Sequence, residues 1–202
     1  MEMRRFLEKL SSDTPTPGGG SASALAGALS AALVAMTAGL SLKKGRIKKG
    51  EVEDIRRKVL ALQKRLLRAV DEDAKSYEAV LKAFRLPKNT DKERTIRNKA
   101  IRKSYQKATI TPQLVCQLSV QLLEYSRTLI LKGNPSAVSD VGVAGFLADA
   151  ALEGGLLNIR INLVPGTEKA FVKKTHLLMG RWSRRRDRLM REIKKSLREK
   201  NE

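Results

Sequence analysis

The chain has 202 residues, with 41 Lys and Arg against 21 Asp and Glu, a formal net charge of +20. That length suits one domain or a tight pair, and 42% hydrophobic residues argue against wholesale disorder. A single Cys (Cys116) excludes an internal disulfide, a zinc centre would have to lean on carboxylates, and a Ser-His-Asp triad would have to use the lone His176.

The first ten residues carry Glu2, Arg4, Arg5, Glu8 and Lys9 and no apolar run. They do not read as a secretory leader, and with the single Cys the expected compartment is cytoplasmic. Phe6, Leu7 and Leu10 mark a short amphipathic helix that ends at Ser11-Ser12-Asp13. A loop, Thr14-Pro15-Thr16-Pro17-Gly18-Gly19-Gly20-Ser21, then feeds an Ala-rich helix. Residues 14–42 hold no charge, long enough to cross a bilayer, and the following Lys43, Lys44, Arg46, Lys48 and Lys49 would suit a positive-inside flank. Ala, Ser and Gly dominate the stretch, however, and these gain little from lipid while letting backbones approach closely. The expectation is a long central helix buried in a bundle, with no membrane.

Residues 45–50 should break that helix. From Glu51 to Leu86 apolar residues recur at Val52, Ile55, Val59, Leu62, Leu66, Val70, Tyr77, Val80 and Phe84, one buried face of a long helix stopped by Pro87. Thr90 with Glu93 predicts a capping box for a Lys-rich helix to about Ala108. Thr111-Pro112 predicts an N-cap and first position for a helix running to Gly133. Asn134-Pro135-Ser136 reads as a turn, and Ser139 or Asp140 as the cap of a helix over 141–153 ended by Gly154-Gly155. Residues 156–163 alternate like a strand yet also fit a helix; a lone strand would have no partner, so helix is expected. The last helix, from Thr167 to about Lys200, places Phe171, Thr175, Leu178, Trp182, Leu189, Ile193 and Leu197 on one side.

Four features carry chemistry. Asp73, between Val70 and Tyr77, falls on the inward stripe, whereas Asp71 and Glu72 point elsewhere. A carboxylate there is either paired with a cation of a neighbouring helix or held for acid–base work. Gly18, Gly19 and Gly20 precede a helix N-terminus, where free N–H groups favour an anion or polar edge; a tight turn is the plain alternative. The segment Gly133 to Asp140 sets short polar side chains between apolar helices, and Asn158 and Asn162 add amides that need partners if buried. Residues 181–202 hold ten Lys or Arg and four acids, suited to a solvated face or to nucleic acid. Cys116 reads as a small core residue and His176 as a surface or half-buried one.

Taken together, the loop Thr14 to Ser21, Asp71-Glu72-Asp73-Ala74 with Tyr77, Leu86-Pro87-Lys88, Gly133-Asn134-Pro135 running to Ser139-Asp140-Val141-Gly142-Val143-Ala144, and Leu157-Asn158-Ile159-Arg160-Ile161-Asn162-Leu163 form an ordered set. The set resembles the formiminotetrahydrofolate cyclodeaminase and methenyltetrahydrofolate cyclohydrolase family, over nearly the whole chain as one domain. The resemblance implies an all-α multi-helical bundle, dimerising through its long helices, with a folate site near the subunit interface. It further implies a one-carbon reaction on a tetrahydrofolate derivative, without metal, nucleotide or any cofactor beyond that substrate. On this resemblance Asp73 and Asp140 are the catalytic carboxylates, with Ser139 orienting one of them or the substrate. Gly18, Gly19, Gly20, Ser21, Asn134 and Asn158 would line the substrate, and Lys43, Lys44 and Arg46 would meet its glutamate tail. Two departures stand out: Ser136 where relatives usually carry a second Asn, and an unusually basic C-terminus that suits nucleic acid or an acidic partner.

Overall fold

The structure, a computed structural model, describes residues 2–44 and 46–201. Gly45, at the head of the expected 45–50 break, lies outside the described residues. Every regular element among the described residues is helical: α1 (Met3–Leu10), α2 (Gly19–Lys44), α3 (Lys49–Phe84), α4 (Asp91–Ala108), α5 (Ile110–Lys132), α6 (Val138–Asn162) and α7 (Lys169–Asn201), with a 3-10 turn at Pro135–Ala137.

The small side chains of α2 decide the packing. Ala24, Ala31, Val34 and Ala38 are fully buried, and α2 is flanked by α3 and α6 and backed by α5. Both flanking helices run antiparallel to it. On one side Ser21, Gly27 and Gly39 meet Asp73, Leu66 and Arg56 in turn; on the other Gly19, Ser23, Gly27 and Ser30 meet Asn158, Gly154, Ala151 and Ala144. Buried hydroxyls would be costly here unless bonded. Ser23, Thr37 and Ser41 donate to carbonyls one turn back on α2, and Ser30 donates across to Ala144 O at 2.7 Å. By length and composition α2 and the 135–162 segment could each cross a membrane, yet half of each apolar window is buried inside the protein. The outer side of α2 is different: Leu29, Met36 and Leu40, on one stripe, are 42%, 44% and 46% exposed.

Four sequence expectations need correcting. Tyr77 and Phe84, expected on the buried face of α3, are 37% and 43% exposed, because the buried stripe gives way near the cleft. The helix after α4 starts at Ile110, not at Thr111-Pro112, and α4 and α5 are separated by Thr109 alone. Pro112 is tolerated inside the first turn because N–H groups there have no helical partner anyway. The cap before α6 is neither Ser139 nor Asp140, which make no capping bond; Asn134 Oδ1 accepts from Ser136 N at 3.0 Å and starts the 3-10 turn that leads in. Nor do Gly154-Gly155 end that helix, which runs unbroken to Asn162. Those glycines are contact points: a Cβ on Gly154 would strike Ser23, and one on Gly155 would lie 2.6 Å from Cys116 Sγ. The Thr90–Glu93 capping box is formed in both directions, and residues 156–162 are helical.

Helix α7 packs on α5 and α6 through Trp182, Leu189, Met190 and Ile193. Two arginines fasten it. Arg185 pairs with Glu124 of α5 at 2.7 Å, and Arg186 binds Asp149 and Glu153 of α6 as well as Asp187.

Candidate functional site

Val70 and Asp73 are one turn apart on α3 and face the first turn of α2. Ser21, fully buried, stands 3.0 Å from both Val70 O and Asp73 Oδ2, and its hydroxyl can donate to either. The carboxylate rests directly on Gly20: a Cβ built there would lie within 2.6 Å of all three carboxyl atoms, well inside van der Waals contact. Glycine at 20 is therefore a space requirement that lets a carboxylate from another helix sit at the N-terminus of α2, where unpaired N–H groups favour an anion.

Two effects compete on Asp73. Burial pushes its carboxyl above the ordinary carboxylate value, and hydrogen bonding from Ser21, through hydroxyl and backbone N–H, pulls the other way. The net direction is upward, so the group is held closer to neutrality than a surface aspartate, as suits a proton carrier. No cation pairs with Asp73 among the described residues, which removes the salt-bridge alternative.

Asp73 opens into a cleft of about 340 Å³, within the usual range of small-molecule sites. Gly18, Gly19, Gly20, Ser76, Tyr77 and Tyr105 line it, with Asn158, Ile161 and Asn162 of α6 opposite. Both amides are anchored: Asn158 Nδ2 donates to Gly154 O at 2.8 Å and Asn162 Nδ2 to Ala108 O at 3.1 Å. Each bond uses one of the two N–H groups of its NH₂, so Oδ1 and a second N–H of each amide remain for a ligand. Tyr105 stands edge-on to Phe84, centroids 6.3 Å apart. The cleft thus offers a carboxyl, helix N–H groups, two side-chain amides and two tyrosines beside Val80, Ala108 and Ile161. Other depressions, along α7 near His176 and along α1, are open and lined by one helix and its approach.

The remaining sequence-expected site residues gather at the far end of α2. Asn134 Nδ2 donates to Leu40 O at 3.3 Å, and Asn134 N to Ser41 Oγ at 2.9 Å. Arg46 N donates to Lys132 O at 2.7 Å, and Lys43, Lys44, Arg46 and Ser139 are exposed around that end. Asp140 and Asn158 are 18 residues apart on the unbroken α6, which separates them by about 27 Å. Within one chain, Asp73 and Asp140 do not share a cleft.

Tyr105, Ser76 and Ile161 were not singled out from the sequence. Tyr105 had a signal: it is the one aromatic on the mostly charged and polar α4. Cys116 is buried, with burial pushing its thiol up to about 12, and His176 is exposed.

The model of the formiminotransferase-cyclodeaminase family matches residues 2–179. A methenyltetrahydrofolate cyclohydrolase of Methylorubrum extorquens is 36% identical over 173 residues, covering 84% of this chain and 82% of the relative. The formimidoyltransferase-cyclodeaminase of Mus musculus is 32% identical over 178 residues, and the chain spans only 32% of that longer protein. The crystal structure of formiminotetrahydrofolate cyclodeaminase from Thermotoga maritima has the same fold, with a TM-score of 0.85 at 23% identity over 98% of this chain and 96% of that one.

Proposed function

The chain belongs to the formiminotransferase-cyclodeaminase family, and on that premise we propose that it makes or opens the one-carbon bridge between N5 and N10 of tetrahydrofolate. In the cyclodeaminase direction, N10 attacks the formimino carbon on N5, the N10 proton is lost, and ammonia leaves to give 5,10-methenyltetrahydrofolate. In the cyclohydrolase reaction, water adds to the cationic bridge carbon, gives up a proton, and one C–N bond opens to the formyl product. Either route needs a group that accepts a proton at the forming bond and returns it to the leaving nitrogen, beside a cationic carbon.

The observation that carries this reading is the half-buried Asp73, without a cation partner among the described residues, in the cleft against Gly20 and Ser21. Asp73 is the proton carrier, and its ionised form also stabilises the cationic carbon. Asn158 and the triglycine turn hold the polar edge of the pterin.

A homodimer completes the site in this reading. The exposed stripe Leu29, Met36 and Leu40, flanked by Val143 and Phe146 of α6, is an apolar face that a twofold partner would cover. Two α2 helices packed antiparallel about their midpoints would bring the far end of α2 to the cleft. Asp140 of the partner subunit would then face Asp73, and the basic groups at residues 43, 44 and 46 would meet the glutamate tail. The test is absorbance of 5,10-methenyltetrahydrofolate, followed as it forms from 5-formiminotetrahydrofolate and as it decays in water. Asp73→Asn protein that stays folded and keeps full turnover on both substrates would overturn the assignment.

A further inference from the structure

Helix α7 carries two kinds of arginine. Arg185 and Arg186 point inward and consume Glu124, Asp149 and Glu153. On the solvent-facing side of the helix Arg181, Arg184, Arg188, Arg191, Lys195 and Arg198 follow one another at alternating steps of three and four residues, and all six are exposed. This is one straight row of cations about 26 Å long. Arg188 and Lys195 reach only Glu192 and Glu199, at 3.8 and 3.7 Å, and Glu192 is also held by Arg127. Among the described residues no acid pairs with Arg181, Arg184 or Arg191. Like charges one turn apart repel, so the row weakens its own helix unless an anionic partner neutralises it. The family match ends at residue 179, before the row begins, and the candidate cleft does not include it.

We infer that this row is a second binding site, for the phosphate backbone of double-stranded nucleic acid, read without regard to sequence. A row of fixed cations at about 5 Å steps matches a polyanion rather than a single anion. The same segment argues against the other polyanionic surfaces. Its large apolar side chains, Trp182, Leu189, Met190 and Ile193, are buried in the core, and Leu177, one turn before the row, is a single exposed apolar residue, too little to anchor the helix among lipid headgroups. The burial of Trp182 also leaves no aromatic platform for unpaired bases. The α7 segment before Asn201 contains no Asn or Gln, the side chains that read adenine in a groove.

The test is anisotropy of a labelled 30-base-pair DNA duplex against the full chain, titrated from about 50 to 200 mM salt. Expected is micromolar binding at the low end, with a log–log salt slope near about −5 for six phosphate contacts. The variant R181Q/R184Q/R191Q/R198Q should bind at least about tenfold more weakly with a slope near about −2, while its circular dichroism and folate turnover stay unchanged. Absence of binding at low salt would overturn the inference. So would an unchanged slope in the variant, tighter binding to single strands, or tighter binding to phosphatidylserine vesicles. Folate turnover is read separately, so this site and the proposed enzymatic one stand or fall independently.

Discussion

Ser21 Oγ stands 3.0 Å from Asp73 Oδ2 and 3.0 Å from Val70 O, so one hydroxyl proton is offered to a titrating carboxylate and to a helix carbonyl. When Asp73 is ionised the charge-assisted bond is the stronger of the two. When Asp73 is protonated the hydroxyl turns to Val70 O and the carboxyl can donate into the cleft. Ser21 thereby follows the charge state of the group proposed to move the proton.

Removing that donor gives the first prediction. Ser21 hydrogen bonds lower the Asp73 carboxyl against the upward push of burial, so Ser21→Ala should raise it further. The acid limb of the kcat/KM pH profile, where Asp73 must be ionised to act as base, should move up by about one pH unit. An unmoved limb, with turnover intact, would show that Asp73 does not set it.

Glycine at 20 and glycine at 19 make opposite predictions. Gly20→Ala places a methyl where the Asp73 carboxylate sits, and kcat/KM should fall by about 10²-fold as the carboxylate is displaced. Gly19→Ala meets only Asn158 Nδ2, at 3.8 Å, an ordinary contact; kcat should change by less than about threefold, with any loss confined to KM. Equal losses would point to the turn itself rather than to the carboxylate.

Asp73 also has a stability signature. A carboxyl whose value is raised by folding contributes stability that is present below the unfolded value and is lost as pH rises through the folded one. Its ionised form is a burden on the native state at neutral pH. Asp73→Asn should therefore raise Tm by about 1–3 °C at pH 7, and the gain should vanish below about pH 4. Thermal melts at the two pH values check this.

The two faces of α7 differ in what they hold. Arg186, three-quarters buried and bound to Asp149 and Glu153, should cost about 2–3 kcal/mol when replaced by Ala, because two carboxylates lose their partner. Arg184→Ala on the exposed row should change stability by less than about 0.5 kcal/mol. Urea denaturation of both variants measures the contrast.

Much of the helical layout is legible in residue order because it depends on local chemistry. The Thr90–Glu93 box, the Val52 to Val70 stripe and the Trp182 to Ile193 face all formed where periodicity and capping place them. Misreadings arose where distance in sequence hides proximity in space. Gly154-Gly155 looks like a helix end, yet its reason is Ser23 and Cys116 on two other helices. Tyr105 is conspicuous as the one aromatic on α4, but which cleft it joins depends on how α4 packs on α3, a contact distant in sequence. Asp73 stood out because one charge on an apolar stripe is a local anomaly, whereas its contact with Gly20 required the antiparallel register of α2 and α3.

The roughly 27 Å of α6 that part Asp140 from Asn158 in the Asp73 cleft turn catalysis into a question of inheritance between chains. If each working centre draws one acid from either polypeptide, Asp73→Asn and Asp140→Asn proteins are separately inert, yet carry complementary lesions. Co-refolding the two in equal amounts would pair unlike chains half the time, each hybrid holding one centre with both acids and one with neither. About a quarter of wild-type activity should return from two dead preparations; recovery of none would mean that each polypeptide works alone.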